Sequence, residues 1–276
     1  MTTQRNNQSK ILASVVVPTY KEVANIRPLV TRLVNKLENS PFGTINRNNI
    51  EIIFVDDNSK DGSKERAQEL KDEGYPVVFI ERTTERGLSS AVLRGFNDAK
   101  GDLLLCMDAD LQHPPEKAPE LLEALVKNKD ADFVLGTRYG EGVEIDPNWP
   151  MHRVIISKVA RSLSRPLTPL SDPMSGFFGL RKSTLEQGKK INPIGFKIAL
   201  ELYVKCGCKN STEVPFSFGV REAGESKLSG KVIVKYIEQL VELYSYTYGQ
   251  AFIPAVLITV IFFGIFVLMI LYRLFQ

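Results

Sequence analysis

The stretch DLLLCMDADLQHPP, residues 102–115, decides how the rest of the chain is read. Residues 102–107 are apolar almost without interruption after the first, and they are of strand length. That pattern suits a strand buried on both faces rather than one with a wet side. The run ends on two carboxylates one residue apart, Asp108 and Asp110, followed by Gln112, His113 and two prolines. Three readings fit such a pair. It is the solvated end of a strand, the nucleophile and acid of a phosphatase, or a clamp that holds a divalent cation against the phosphates of a substrate.

Working outward, the same strand pattern recurs in ILASVVV (11–17), IEIIFV (50–55), VVFI (77–80) and DFVLG (132–136). Helical periodicity fills the gaps. Val23, Ile26, Leu29, Val30, Leu33, Val34 and Leu37 repeat at three and four, with Asn25 as the expected cap and Pro28 early enough to be tolerated. Residues 63–73, 88–99 and 116–127 also read as helices. Strand–helix alternation predicts an α/β fold with a doubly wound, mostly parallel sheet and helices on both faces. Ligands of such sheets bind outside the carboxyl ends of the strands. Three acidic clusters fall on that rim: Glu22, the pair Asp56 and Asp57, and the pair Asp108 and Asp110. Further helices are expected at 152–163 and 196–205, with a strand-like segment at 212–218. Residues 230–248 are amphipathic, with Val232, Ile233, Tyr236, Ile237, Leu240, Val241 and Tyr244 on one side. They read equally as a membrane-interface helix or as an ordinary packing helix.

The chain has 276 residues, 43% of them hydrophobic, which suits one large domain with an appendage. Lys and Arg number 35 against 32 Asp and Glu, so charge gives no reason to expect a nucleic-acid partner. The three cysteines, Cys106, Cys206 and Cys208, are too few and too oddly spaced for a disulfide framework or a zinc site. Residues 1–10 lack the apolar core of a secretory signal. By contrast, residues 251–272 carry no charge. At about 1.5 Å per residue they extend roughly 33 Å, close to the roughly 30 Å hydrocarbon layer, so a transmembrane helix is expected there. Lys227, Lys231 and Lys235 precede it and only Arg273 follows, which by the positive-inside bias puts the large domain in the cytosol. The expected organisation is a catalytic domain (1–229), an interface helix (230–250), the span (251–272) and a short tail (273–276).

The rim residues narrow the chemistry. No glycine-rich dinucleotide or P-loop fingerprint follows any strand. A nucleotide diphosphate bound here must therefore be neutralised otherwise, and a divalent cation on carboxylates does so. Asp108 and Asp110 have the spacing of side chains that point the same way on an extended segment, and Gln112 repeats it with a carbonyl oxygen. His113 is a further candidate ligand or a supporting residue. The phosphatase reading fits less well. Its aspartate pair usually continues to Thr or Val, where this chain has Gln112, and it ends a first strand rather than a fourth. In VDDNSKDGS (55–63), Asp56 and Asp57 supply either turn chemistry or a grip on a base or ribose.

With these residues in view, the segments VVVPTYKE, VDDNSKDGS, RGLSSAVLRGF, DADLQHPPE, GTRY, SDPMSGFFGLRK, GFKIALE and GESKLSG occur in one order. The chain thereby resembles the inverting family-2 glycosyltransferases of GT-A fold, and among them the dolichyl-phosphate mannosyltransferases that carry their own membrane span. The resemblance covers roughly residues 12–250. It implies transfer of mannose from GDP-mannose to dolichyl phosphate, with Mg²⁺ or Mn²⁺, at the endoplasmic reticulum membrane and without an obligatory protein subunit. Donor contacts map by resemblance onto Pro18, Tyr20, Glu22, Val55, Asp56, Asp57, Asp108, Ala109, Asp110, Gln112, Lys197, Arg221 and Lys227. The metal maps onto Asp108, Asp110 and Gln112, and the catalytic groups onto Asp108, Asp110, Arg221 and Lys227. The acceptor phosphate maps onto Arg138, Arg153 and Ser157. A sister enzyme that uses UDP-glucose, and a non-catalytic nucleotide-binding adaptor, are the alternatives.

Overall fold

β1 (Ala13–Thr19), β2 (Ile50–Asp56), β3 (Val77–Glu81) and β4 (Leu103–Cys106) form parallel pairs around β1. The structure is a computed structural model. It describes residues 10–40, 43–140, 143, 151–218, 230–252 and 254–256, and of residues 151–154 the backbone alone. Beyond β4 lie β6 (Phe178–Arg181), β5 (Phe133–Thr137) and β7 (Ser211–Pro215), giving the order β3-β2-β1-β4-β6-β5-β7. The expected parallel sheet is present, with one strand reversed. β6 runs antiparallel to both β4 and β5. The reversal carries the start of β6 to the rim where the other six strands end.

β1 and β2 are buried on both faces, which is why their sequences show no alternation. Val15 and Val17 pack on one side of the sheet with α1 (Val23–Glu38) and α4 (Ala118–Lys127). Val16 packs on the other with α3 (Leu88–Asp98) and α7 (Ile198–Lys205). α2 (Ser63–Asp72) lies beside α1 and β3. The start of α1 differs from expectation. Asn25 is the third residue of the helix and donates to Glu22 at 2.7 Å, while the orphan amide of Val23 is met by Asp61 from the β2–α2 loop at 3.2 Å. A tertiary contact has taken the place of a local cap. α6 (Lys182–Leu185), a single turn after β6, is too short to show periodicity.

α5 (Met151–Ser164) and α8 (Gly230–Tyr248) stand beside this core. The tyrosines of α8 tie the two together: Tyr236, Tyr244 and Tyr248 donate to the carbonyls of Ala160, Leu163 and Pro166, each at 2.7 Å. α8 is joined to α7 by a buried charge cluster. Lys205 donates to Glu201 at 2.8 Å, to Glu242 at 2.6 Å and to the Lys190 carbonyl at 2.7 Å. Among the described residues no helix is long and apolar enough to cross a membrane. The span expected at 251–272 lies beyond residue 256 outside the described residues. Replacing Lys205 by Met would leave the fully buried Glu201 without its counter-charge. The expected outcome is a loss of about 3–5 kcal/mol in chemical denaturation, as for other broken buried pairs.

Candidate active site

After β4 the chain turns sharply. The Asp108 amide donates to His113 Nδ1 at 3.0 Å, the Gln112 amide to Asp110 Oδ1 at 3.2 Å, and Leu111 between them takes a left-handed backbone with φ of 63°. His113 is buried, stacked on Phe177 at 5.0 Å with the edge of Phe216 against it. Burial lowers its pKa, against the pull of Asp108 and Asp110. A neutral imidazole whose Nδ1 accepts a hydrogen bond carries its proton on Nε2. His113 therefore shapes the aspartate loop, and its Nδ1 lone pair is already engaged. Gly176, just before β6, closes the same corner. A Cβ there would lie 3.3 Å from both carboxylate oxygens of Asp108 and from His113. A side chain there would press on the aspartate loop, and Asp108 or His113 would have to give by a few tenths of an ångström.

A cleft of about 390 Å³ opens over the carboxyl ends of β1 and β4. It gathers Pro18, Tyr20, Glu22, Asp57, Asp108, Ala109 and Asp110 from the expected set. It also exposes Thr19, Arg86, Gly87, Leu88, Ala91 and Phe196, which were not anticipated. Thr19 stands out, because its hydroxyl is buried and has no partner among the described residues. Asp57 is held from behind. Arg82, itself buried, grips its Oδ1 through Nε (2.7 Å) and Nη2, and the Gly87 amide donates to its Oδ2 at 2.8 Å. Asp56 turns elsewhere and accepts from the amide and hydroxyl of Ser59. Its pKa is raised, since burial outweighs those hydrogen bonds. Val55 is buried in β2 and does not line the cleft. Lys21, Asn58 and Lys60, all with positive φ, cluster in the loops behind this rim, where backbone strain is common at functional sites.

A second cavity, also about 390 Å³, lies between α5 and α8. Ile155, Val159, Ile233 and Ile237 make it apolar, and Arg138, Ser157 and Lys197 supply its polar groups. The structure thus brings Arg138 and Ser157 to one cavity. The backbone of Arg153 lies one turn before Ser157 on α5, and its side chain is outside the described residues, as are Arg221 and Lys227. Lys197 is half-buried, donates to the Met174 carbonyl at 2.8 Å, and has its pKa lowered by desolvation and by Arg138. Arg138 is pinned on Asp172 through Nε (2.7 Å) and Nη2 (2.9 Å). Burial works against its charge, but Asp172 more than offsets this and raises its pKa.

Residues 14–188 match the model of glycosyl transferase family 2. A dolichol-phosphate mannosyltransferase of Mycosarcoma maydis is 54% identical over 92% of this chain and 86% of its own length. One from Saccharomyces cerevisiae is 56% identical over 86% of this chain and 88% of its own. The chain belongs to the dolichol-phosphate mannosyltransferases of glycosyl transferase family 2. A relative of that name from Pyrococcus furiosus is 47% identical, and the match spans 83% of this chain and 63% of that protein. The fold agrees. Glucosyl-3-phosphoglycerate synthase from Mycobacterium tuberculosis, solved with Mn²⁺, UDP and glucosyl-3-phosphoglycerate, superposes with a TM-score of 0.59 at 20% identity, over 85% of this chain and 79% of that one.

Among the described residues, this glycosyltransferase offers a cation the hard oxygen donors of Asp108 and Asp110 at the cleft, which suit Mg²⁺ or Mn²⁺ rather than softer metals. Among the described residues no three His, Cys, Asp or Glu side chains converge, so the two aspartates do not form a closed protein cage. Such half-built sites are usual where substrate phosphates complete the coordination. Of the residues that the sequence did not single out, Arg86, Gly87, Leu88 and Ala91 lie in RGLSSAVLRGF, a segment whose place at the cleft needs the fold. Changing Gly176 to Ala presses on Asp108 without touching substrate. A drop of about tenfold or more in transfer rate is expected, with the melting temperature lowered by a few degrees at most, on the usual scale of small overpacking. Steady-state rates and a thermal melt check it.

Proposed function

We propose that the protein transfers mannose from GDP-mannose to dolichyl phosphate with inversion, at the cytosolic face of the endoplasmic reticulum membrane. One observation carries the reading. Phe196 lines the acidic cleft and the next residue, Lys197, lines the apolar groove, so the two cavities meet at one point of the chain. A nucleotide diphosphate sugar suits the first, and a lipid phosphate suits the second. The names of the relatives supply the sugar and the lipid.

In this reading Asp57, Glu22 and Tyr20 hold the nucleoside, with the Arg82 guanidinium fixing Asp57. Asp108 and Asp110, with Gln112, would hold a divalent cation that neutralises charge developing on the departing diphosphate. Arg221 and Lys227 add to that neutralisation. Arg138, Arg153 and Ser157 hold the acceptor phosphate behind the anomeric carbon, with Lys197 at the junction. A phosphomonoester has its second pKa near 6. The nucleophile is therefore anionic at neutral pH, and no protein base is needed to activate it. This fits a cleft beside which His113 is buried and committed to the backbone. A single displacement inverts the α-linked donor to a β-linked product.

The apolar groove also explains the exposed surface beside it. Ile155, Val159 and Val234 are each more than half exposed, an arrangement costly in water and favourable against a lipid surface. The span at 251–272 would hold this face at the bilayer.

The decisive assay offers GDP-mannose or UDP-glucose with dolichyl phosphate, with and without a chelator. Mannosyl transfer abolished by chelator and restored by Mg²⁺ or Mn²⁺ is expected; transfer from UDP-glucose alone would give the sister activity instead. Asp110→Ala is expected to lower turnover by about 100-fold or more, the scale of removing charge stabilisation at a leaving group, with circular dichroism unchanged. Ending the chain at residue 250 is expected to leave GDP-mannose binding unchanged by calorimetry. It should raise the KM for dolichyl phosphate in vesicles.

A further inference from the structure

We propose that Asp172 is the positioning residue of the acceptor site, fixing the Arg138 guanidinium in the orientation that meets the acceptor phosphate. The inference rests on the acceptor reading of Arg138 given above. Asp172 is buried and lines neither cavity, so it does not touch substrate itself. It engages Arg138 three times: with Nε at 2.7 Å, with Nη2 at 2.9 Å and with the backbone amide at 3.3 Å. The guanidinium also lies over the Phe218 ring at 5.2 Å. One contact fixes an edge and the other fixes the plane, which together leave a planar fork no freedom to turn.

A purely structural role explains this poorly. A buried ion pair is seldom more stable than well-packed apolar residues of the same size. This pair is also set among other charges, with Lys197 and Asp108 both close enough to influence Arg138 or Asp172. Two cations, Arg138 and Lys197, face one groove. Without an anion between them each would disfavour the charge of the other. Asp172 raises the pKa of Arg138 by its hydrogen bonds and charge, and it also opposes the lowering at Lys197. Its own loop is braced in turn. The Ser171 hydroxyl lies 2.6 Å from that of Thr137, and the Ser171 amide donates to Glu213 at 2.6 Å. The segment before β6 is thereby fastened to the end of β5 and the middle of β7.

The test uses the full chain with GDP-mannose and dolichyl phosphate. Asp172→Asn is expected to raise the KM for dolichyl phosphate by about tenfold or more, the scale of losing a charge-assisted hydrogen bond. The KM for GDP-mannose should stay within about twofold, inside the usual context scatter of a distant change. Arg138→Gln supplies a cycle. If Asp172 acts through Arg138, adding Asp172→Asn to Arg138→Gln raises the acceptor KM no further. Should Asp172→Asn fail to fold, Arg138→Lys keeps the charge but loses the fork, and it should reproduce the rise with Asp172 intact. An acceptor KM changed by Arg138→Gln but not by Asp172→Asn or Arg138→Lys overturns the inference alone. An acceptor KM unmoved by Arg138→Gln removes the acceptor reading and the inference with it. A penalty that adds in full to that of Arg138→Gln, or that falls equally on both substrates, also overturns the positioning role.

Discussion

The site depends on one close approach, that of Gly176 to Asp108 and His113. β6 runs against its neighbours, so the chain enters it at the rim where β4 leaves off. That entry must pass within van der Waals contact of the aspartate loop. The consequences radiate from there. Phe177 stacks on His113, His113 accepts the Asp108 amide, and the loop holds both carboxylates at the cleft. The same entry brings Asp172 beside Arg138 and puts the Met174 carbonyl in reach of Lys197. A sheet with all strands parallel would have sent this segment to the opposite rim, and the cleft and the groove would share no wall.

Two arginine–aspartate pairs, each with at least one partner buried, stand at the two ends of the site, with their roles exchanged. At the cleft, Arg82 lies behind and Asp57 faces the cavity. At the groove, Asp172 lies behind and Arg138 faces the cavity. The group presented is opposite in sign, as it must be if one end reads the N–H donors of a base and the other an anionic phosphate. In both cases the hidden partner offsets the desolvation of the presented charge and takes away its rotational freedom. Preorganisation of this kind is spent during folding rather than at binding, so little reorganisation remains when substrate arrives.

Most of the fold was legible because buried parallel strands write themselves as unbroken apolar runs, and β1 to β5 followed that rule, while β7, Ser-Thr-Glu-Val-Pro at the sheet edge, did not. β6 was missed for a physical reason. Its four residues, Phe178 to Arg181, include Gly179, placed there because the backbone of β4 passes within 2.6 Å of where a Cβ would stand. A strand shaped by close approach carries no apolar signature. The carboxylates of the cleft could be read from their position at strand ends. Asp172, Arg82 and Arg86 could not, since nothing local sets a lone charged residue in a loop apart from a solvated one. His113 was ambiguous in the sequence as a ligand or a support, and the hydrogen bond to its Nδ1 made it a support.

The amphipathic helix at 230–248, read equally as membrane-facing or as packing, packs on the body with one part of its apolar side and leaves another part exposed. Leu240 and Leu243 are buried against the body, while Ile233, Val234, Ile237 and Val241 remain exposed. Its inner face also reaches the segment that walls both cavities. Gln239 donates to the Lys197 carbonyl at 3.1 Å, and Lys235 packs against Gly195, whose φ of 70° lets the chain turn there. From the opposite side, Ser89 of α3 donates to the Gly195 carbonyl at 2.8 Å. The segment that carries Phe196 and Lys197 is thus held between a helix of the nucleotide side and a helix with an apolar outer face. An enzyme whose acceptor stays in a bilayer needs its reacting groups at a fixed height above that bilayer. A continuous chain of contacts from the exposed face of α8 to the junction of cleft and groove is how this fold would set that height.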